Sequence, residues 1–229
     1  MNYILSVFKN LYRKHVESKI RFWKTRAYLS KRFNLSKDEI SAIQAGFELI
    51  FASRSFVIGG AQSVLKDDAF ALYTIVRTLR PQLMVETGTY QGYSSHVIIE
   101  ALKQNNGGKF ITCDIIDCRV FKGDFDQSQF QFLLGPSSST FLNIPFHSVD
   151  IFFHDSDHQY PNVMFETGQA VKNNVKIILC HDFGKHNIHN TIKAIDGKGC
   201  REAFIEAIGD KYTWYEIPTI NGIGLAIRK

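Results

Sequence analysis

The stretch IFFHDSDHQY, residues 151–160, follows an apolar run with two aspartates and two histidines inside five residues. A second apolar run ends in the same way, VKIILCHDF at 175–183. If the two runs are neighbouring parallel strands, Asp155 and Asp182 converge at the carboxyl edge of the sheet, where open α/β sheets bind their ligands. No Lys or Arg stands close by in sequence, so the two carboxylates would repel each other unless a cation lies between them. An oxygen-rich pair of this kind suits magnesium, manganese or calcium better than zinc. His158 follows Asp155 by three residues, in a segment turning towards the next helix, whereas His154 alternates to the other face of its strand and reads as structural. Strand-end Asp and His also cap helices or satisfy loop amides, and for each residue alone that plainer reading stays open.

Upstream, VETGTYQGYSS places an acid at a strand end, glycines in the turn and a helix start behind them, the arrangement of a ligand-binding turn in a doubly wound sheet. Gly88 and Gly92 let the backbone pass close to a ligand, and Ser94 or Ser95 caps the helix or touches a carboxylate there. The spacing is not the Gly-x-Gly-x-x-Gly of a dinucleotide fold, which favours a ligand without a pyrophosphate. Asp114 closes the next strand, FITCDI, at the distance where such folds place an acid on ribose hydroxyls.

The elements that must position these groups are legible in the rest of the chain. Its 229 residues, 45% of them hydrophobic, suffice for a real core. The longest early apolar run, YILSVF, is far too short to span a membrane, and no signal-type cleavage site follows it. An intracellular, cytoplasmic protein is expected. The four cysteines, at 113, 118, 180 and 200, form no Cys-x-x-Cys pair and read as reduced thiols rather than as a zinc site.

Net charge is +5, but residues 1–37 hold ten Lys/Arg against one acid while the remainder holds 17 against 21. A nucleic-acid groove across the main domain is therefore not expected. In residues 1–35 apolar side chains recur at helical spacing among the basic ones. This basic amphipathic arm either packs on the domain or on a second subunit, or lies on an anionic membrane surface through residues 1–33, with Phe22 and Trp23 near the headgroups.

Residues 36–81 read as a helical lead-in. Ser36 and Glu39 form a capping box that opens a helix to about residue 53, Gly59 and Gly60 mark a loop, and a helix over 66–79 ends before Pro81. From residue 82 to 229, short apolar runs alternate with amphipathic segments. Strands are expected at QLMVET, KFITCDI, QFQFLL, VDIFFHD, VKIILCHD, YTWYEIP and IGLAIRK, with helices over 94–104, 162–174 and 201–208. Strands that are apolar throughout imply a mainly parallel sheet covered on both faces. The last two are joined by TINGI, too short for a crossover, and must form an antiparallel hairpin.

Taken together, MVETGTYQGYSS, FITCDI, VDIFFHDSDHQY and IILCHDF resemble the class I S-adenosylmethionine-dependent O-methyltransferases. Within them the chain is most similar to the metal-dependent branch that includes the catechol and caffeoyl-CoA enzymes and the macrolide-sugar O-methyltransferases. The resemblance covers residues 82–229. It implies a Rossmann-like, doubly wound sheet of seven strands with the last strand antiparallel, here preceded by an N-terminal helical extension. It implies that Glu86, Gly88, Tyr90, Gly92 and Ser94 surround the amino-acid end of S-adenosylmethionine, that Asp114 holds its ribose, and that Ser137 and Ser138 lie by its adenine. In that last segment, LLGPSSSTF, Pro136 replaces the acid that many relatives carry after the glycine.

The matching positions also make Asp155 and Asp182 ligands of a divalent metal, magnesium or manganese, with His181 as a third. The family commonly has an acid at that third position, and a nitrogen there shifts preference towards manganese or another transition metal. His158 falls where the family carries its base, and Asp157 orients either the cofactor or His158. The implied acceptor is a hydroxyl of a small molecule or saccharide. GKHNIHNTIKAIDGKG, with Lys185, His186, His189 and Lys193, is placed to cover the site. Two other functions are compatible with the residues alone: a metal-dependent hydrolase using the strand-end His-Asp pairs, and a non-catalytic scaffold, with a homo-oligomer open in each case.

Overall fold

The computed structural model describes residues 2–52, 65–120, 128–187, 190 and 198–229, with side chains described from residue 16 onward. Seven strands lie in one sheet: β1 (Leu83–Thr87), β2 (Lys109–Asp114), β3 (Phe130–Leu134), β4 (Ile151–His154), β5 (Ile177–Cys180), β6 (Tyr212–Ile217) and β7 (Ile223–Arg228). Their order across the sheet is β3-β2-β1-β4-β5-β7-β6. The first five pair in parallel, and β7 enters antiparallel between β5 and β6. Every residue of β1 and β4 is buried, as strands covered on both faces must be, whereas edge strand β3 is partly exposed along its length.

Helices α1 (Asn2–Arg32), α2 (Lys37–Ala52), α3 (Lys66–Leu79) and α4 (Tyr93–Gln104) enclose one face of the sheet. The short α5 (Ser137–Thr140), α6 (Tyr160–Lys172) and α7 (Cys200–Ile208) belong to the other. The capping box at the start of α2 forms as its spacing predicts: Glu39 N–H donates to Ser36 Oγ, and Ser36 N–H to the Glu39 carboxylate at 2.7 Å. At α4, of the two roles open to Ser94 and Ser95, the contact with a carboxylate is found and the cap is not. Gly92, at φ +86°, occupies the N-cap position, and Ser95 turns inward to Glu86.

The second half of the basic arm is part of the core. Leu29 is fully buried in the same cluster as Phe47, Phe70, Met84 and Phe153. Phe22 packs on Phe70 with tilted rings 4.7 Å apart, Thr25 Oγ1 donates to the Pro218 carbonyl at 2.8 Å, and the Arg32 guanidinium lies over the Tyr215 ring. Phe22 therefore packs on this core while partly exposed, and Trp23 remains 56% exposed. Among the described residues no helix is long and apolar enough to cross a membrane. The Gly59-Gly60 loop, His189 and Lys193 lie outside the described residues.

Leu29→Ala should lower unfolding free energy by about 2–5 kcal/mol, as for other fully buried leucines, and Trp23→Ala by less than about 0.5 kcal/mol. Urea unfolding of both variants checks whether α1 is core or appendage.

Candidate active site

The turn after β1 is built on a close approach. Gly88 sits at φ +84°, and a Cβ there would come within 2.0 Å of the Asp155 carbonyl oxygen, so no side chain fits. Its N–H donates to the Cys113 carbonyl, and Asp155 N–H donates to the Thr87 carbonyl, both at 2.9 Å. These bonds bring the carboxyl ends of β1, β2 and β4 together. Above them opens a cleft of about 420 Å³. Gly88, Tyr90, Asp114, Ser137, Asp155 and Asp157 line it, joined by Asn162 and Glu166. Its volume suits a small-molecule ligand.

Glu86 lies beneath this cleft rather than in its wall. It is fully buried, and its carboxylate accepts hydrogen bonds from Ser95 and from Thr112 Oγ1 at 2.8 Å. Burial pushes its pKa up to about 8 against those hydrogen bonds. Asp114 is held at the rim, accepting from Tyr90 N–H at 2.7 Å and from Ile116 N–H at 3.2 Å. Tyr90 itself adopts φ +45° and is half-exposed. Asp157 accepts from Gln159 N–H, closing the turn into α6. Ser138 is exposed and, unlike Ser137, does not border the cleft, while Gly92 and Ser94 stand behind it in the start of α4.

Beside the cleft, the two strand-end acids meet as β4 and β5 run in parallel register. His181 stands between them, with Nδ1 at 2.9 Å from Asp155 Oδ1 and 3.6 Å from Asp182 Oδ1. His158 Nε2 reaches the same point, 3.9 Å from Asp155 Oδ1 and 3.5 Å from Asp182 Oδ2. Asp155, His158 and His181 each offer a ligand atom within 4.8 Å of the others. Asp182 takes φ +53° at the strand end, and Asn187 donates to its carboxylate at 2.8 Å. Burial raises the Asp155 pKa although His181 lies against it. Burial would lower that of His181, but the Asp155 and Asp68 carboxylates outweigh it and hold the imidazole well above its ordinary value.

Two participants had no signal in the strand-end motifs. Asp68, in the first turn of α3, is fully buried with Oδ2 3.6 Å from His181 Nε2. It also accepts from the Asn221 side chain at 3.0 Å, while neighbouring Asp67 accepts from Ile220 N–H, so the β6–β7 turn docks on the start of α3. In sequence the pair reads only as acids favourable at a helix N-terminus. The second is Glu166 of α6, which accepts from Thr87 Oγ1 at 2.6 Å and Ser156 Oγ at 2.8 Å and pairs with His154 Nδ1 at 2.6 Å. Burial raises the Glu166 pKa, but His154 and the hydroxyls more than reverse it. His154 is thus structural, as its strand position suggests, but as half of a buried ion pair.

Glu86 holds its proton to higher pH in the folded than in the unfolded chain, so stability should fall as pH rises from about 4.5 towards about 8. Glu86→Gln, which mimics the protonated form, should flatten that fall, and thermal melts across the pH range check it.

Residues 85–183 match a family model described as a methyltransferase domain. No curated protein sequence matches the chain. Among solved structures, the O-methyltransferase from Bacillus cereus in complex with SAH superposes with a TM-score of 0.56 at 16% identity, covering 82% of this chain and 91% of that one. TomG from Streptomyces achromogenes, an O-methyltransferase involved in tomaymycin synthesis and solved with SAM, gives 0.50 at 17% identity over 82% and 89%. SAH-bound PaMTH1 of Podospora anserina gives 0.51 at 14% identity over 82% and 88%. At such identities the superpositions speak for the fold, and the family model for the segment that builds the cleft. Residues 85–183 thus resemble a methyltransferase domain, and the sheet has the fold of the superposed methyltransferases.

Proposed function

We propose that this chain transfers the methyl group of S-adenosylmethionine to a hydroxyl of a small molecule or saccharide. The observation that carries the reading is the contact of two sites: a cleft of about 420 Å³ beside a His/Asp cluster, with Asp155 common to both. In the transfer the acceptor oxygen attacks the methyl carbon, the carbon–sulfur bond breaks with its electrons left on sulfur, and the hydroxyl proton must leave.

In this reading Asp114 at the rim would take the ribose hydroxyls, Gly88 and Tyr90 the amino-acid end and Ser137 the base, as all four line the cleft. His158 is the group to accept the proton, because its ring borders the cluster and it is held between two carboxylates that stabilise the imidazolium formed. Orientation of the acceptor against the methyl donor supplies much of the rate.

A divalent cation suits a donor set of carboxylates and imidazole, although the ligand atoms that converge within 4.8 Å are those of Asp155, His181 and His158. Asp155, Asp182 and His181 would hold it, and it would supply Lewis acidity towards the acceptor hydroxyl. A second reading has its own observation. The His181 imidazole already stands between Asp155 and Asp182 with its pKa raised, so a protonated ring can supply the positive charge and the reaction can run without metal. The two differ in whether a chelator stops turnover.

Calorimetric titration with S-adenosylmethionine, with and without manganese or magnesium, should show micromolar binding. No binding under any condition would remove the proposal and leave the cluster to hydrolytic chemistry. His158→Ala should slow transfer by about 10²–10⁴-fold with cofactor affinity preserved. Asp182→Ala, which does not border the cleft, should abolish any metal stimulation and spare cofactor binding.

A further inference from the structure

On the other face of the same strands lies a second cluster, which the proposed transfer does not use. His154 and Cys180 are register partners on β4 and β5, so they project to one face of the sheet. Cys200, the first residue of α7, brings its sulfur to 3.4 Å from that of Cys180. All three residues are fully buried, and a ligand atom of each lies within 4.8 Å of the others.

Ordinary core packing does not account for this arrangement. His154 Nδ1 is committed to Glu166 at 2.6 Å, which leaves Nε2 as the nitrogen free to coordinate. That Nε2 is buried and has no hydrogen-bond partner among the described residues, a costly state for a polar atom. An imidazole whose second nitrogen faces a carboxylate is the form metal-ligating histidines take. The two thiols share a single acceptor, the His181 carbonyl, at 3.4 and 3.6 Å.

We propose that His154, Cys180 and Cys200 form a buried site for a thiophilic divalent metal of the zinc type, separate from the strand-end acids. Zinc bond lengths of about 2.3 Å to sulfur and about 2.0–2.1 Å to nitrogen place the ligand atoms of one tetrahedral site about 3.5–3.8 Å apart. The sulfur pair is already near that spacing, and the imidazole offers a ligand atom within 4.8 Å of both sulfurs. On binding, both thiols and the imidazolium Nε2 release their protons to solvent and Nε2 donates the lone pair so freed, while Nδ1 keeps its proton for Glu166. Two thiolates cancel the charge of the metal, so the loaded site is neutral where water is excluded. The His181 carbonyl, beside both sulfurs, is the nearest fourth donor. Soft sulfur ligands select against magnesium and calcium. The site would tie β4, β5 and α7 together directly behind His181 and Asp155.

The test is titration of the full chain, reduced and chelator-treated, with cobalt(II). The expected result is a near-ultraviolet sulfur-to-cobalt charge-transfer band that saturates at about one equivalent and is bleached by zinc. It should vanish in Cys180→Ser and Cys200→Ser and persist in Asp182→Asn, since carboxylate and imidazole ligands alone give no such band. Zinc should raise the melting temperature of the wild type and leave that of Cys200→Ser unchanged. No band in a wild-type chain whose four cysteines all titrate as thiols after denaturation would overturn the proposal. A band that survives Cys200→Ser would do the same. So would a Cys180–Cys200 disulfide in chain purified without reductant, if the reduced chain binds no cobalt. The wild-type titration decides the matter even if a serine variant does not fold.

Discussion

The missing side chain at Gly88 is the constraint on which the site depends. With a Cβ there only 2.0 Å from the Asp155 carbonyl, the turn after β1 and the end of β4 could not meet. Their meeting sets the floor of the cleft and fixes where Asp155 emerges, and therefore where His181 and His158 find it. A glycine in a ligand-binding turn is usually credited with letting the ligand approach. Here it first lets two strands approach, and the cleft is the consequence.

Around that junction the chain concentrates ionisable groups that water does not reach. Glu86, Asp68, Glu166, His154 and His181 are all buried at or below the carboxyl edge of the sheet. Such burial is tolerable only when charge is removed or matched. Both solutions appear: Glu86 keeps its proton, with its pKa pushed up to about 8, whereas Glu166 and His154 pair as ions. His181 is matched on two sides, by Asp155 and Asp68. The edge of the sheet is thus electrostatically prepared before any ligand arrives.

The helices before β1 take part in this arrangement. α3 delivers Asp68 to His181, and its start anchors the β6–β7 turn through Asp67 and Asp68. α1 in turn packs on α3 through Phe22 and Phe70 and reaches the sheet end at Pro218. The basic helix read from the sequence as an arm is, from Phe22 onward, one wall of the same core.

The sequence by itself determined the elements and their order. All seven strands lie where apolar runs predict them, most plainly β1 and β4, whose continuous burial leaves no polar alternation to mislead the reading, and the five-residue link over 218–222 forces the β6–β7 hairpin. It also determined which strand ends carry acids, so Asp114, Asp155 and Asp182 could be singled out before any contact was known. Only the tertiary structure decided what those acids face. Asp68 and Glu166 come from helices far along the chain, and neither has a local pattern to distinguish it from a helix-start or helix-surface acid. The cysteines show the limit most plainly: with no Cys-x-x-Cys spacing they read as inert thiols. Yet the register of β4 with β5 and the docking of α7 bring Cys180, Cys200 and His154 to one point. Ligands drawn from three elements leave no trace in spacing, because their convergence is a property of packing.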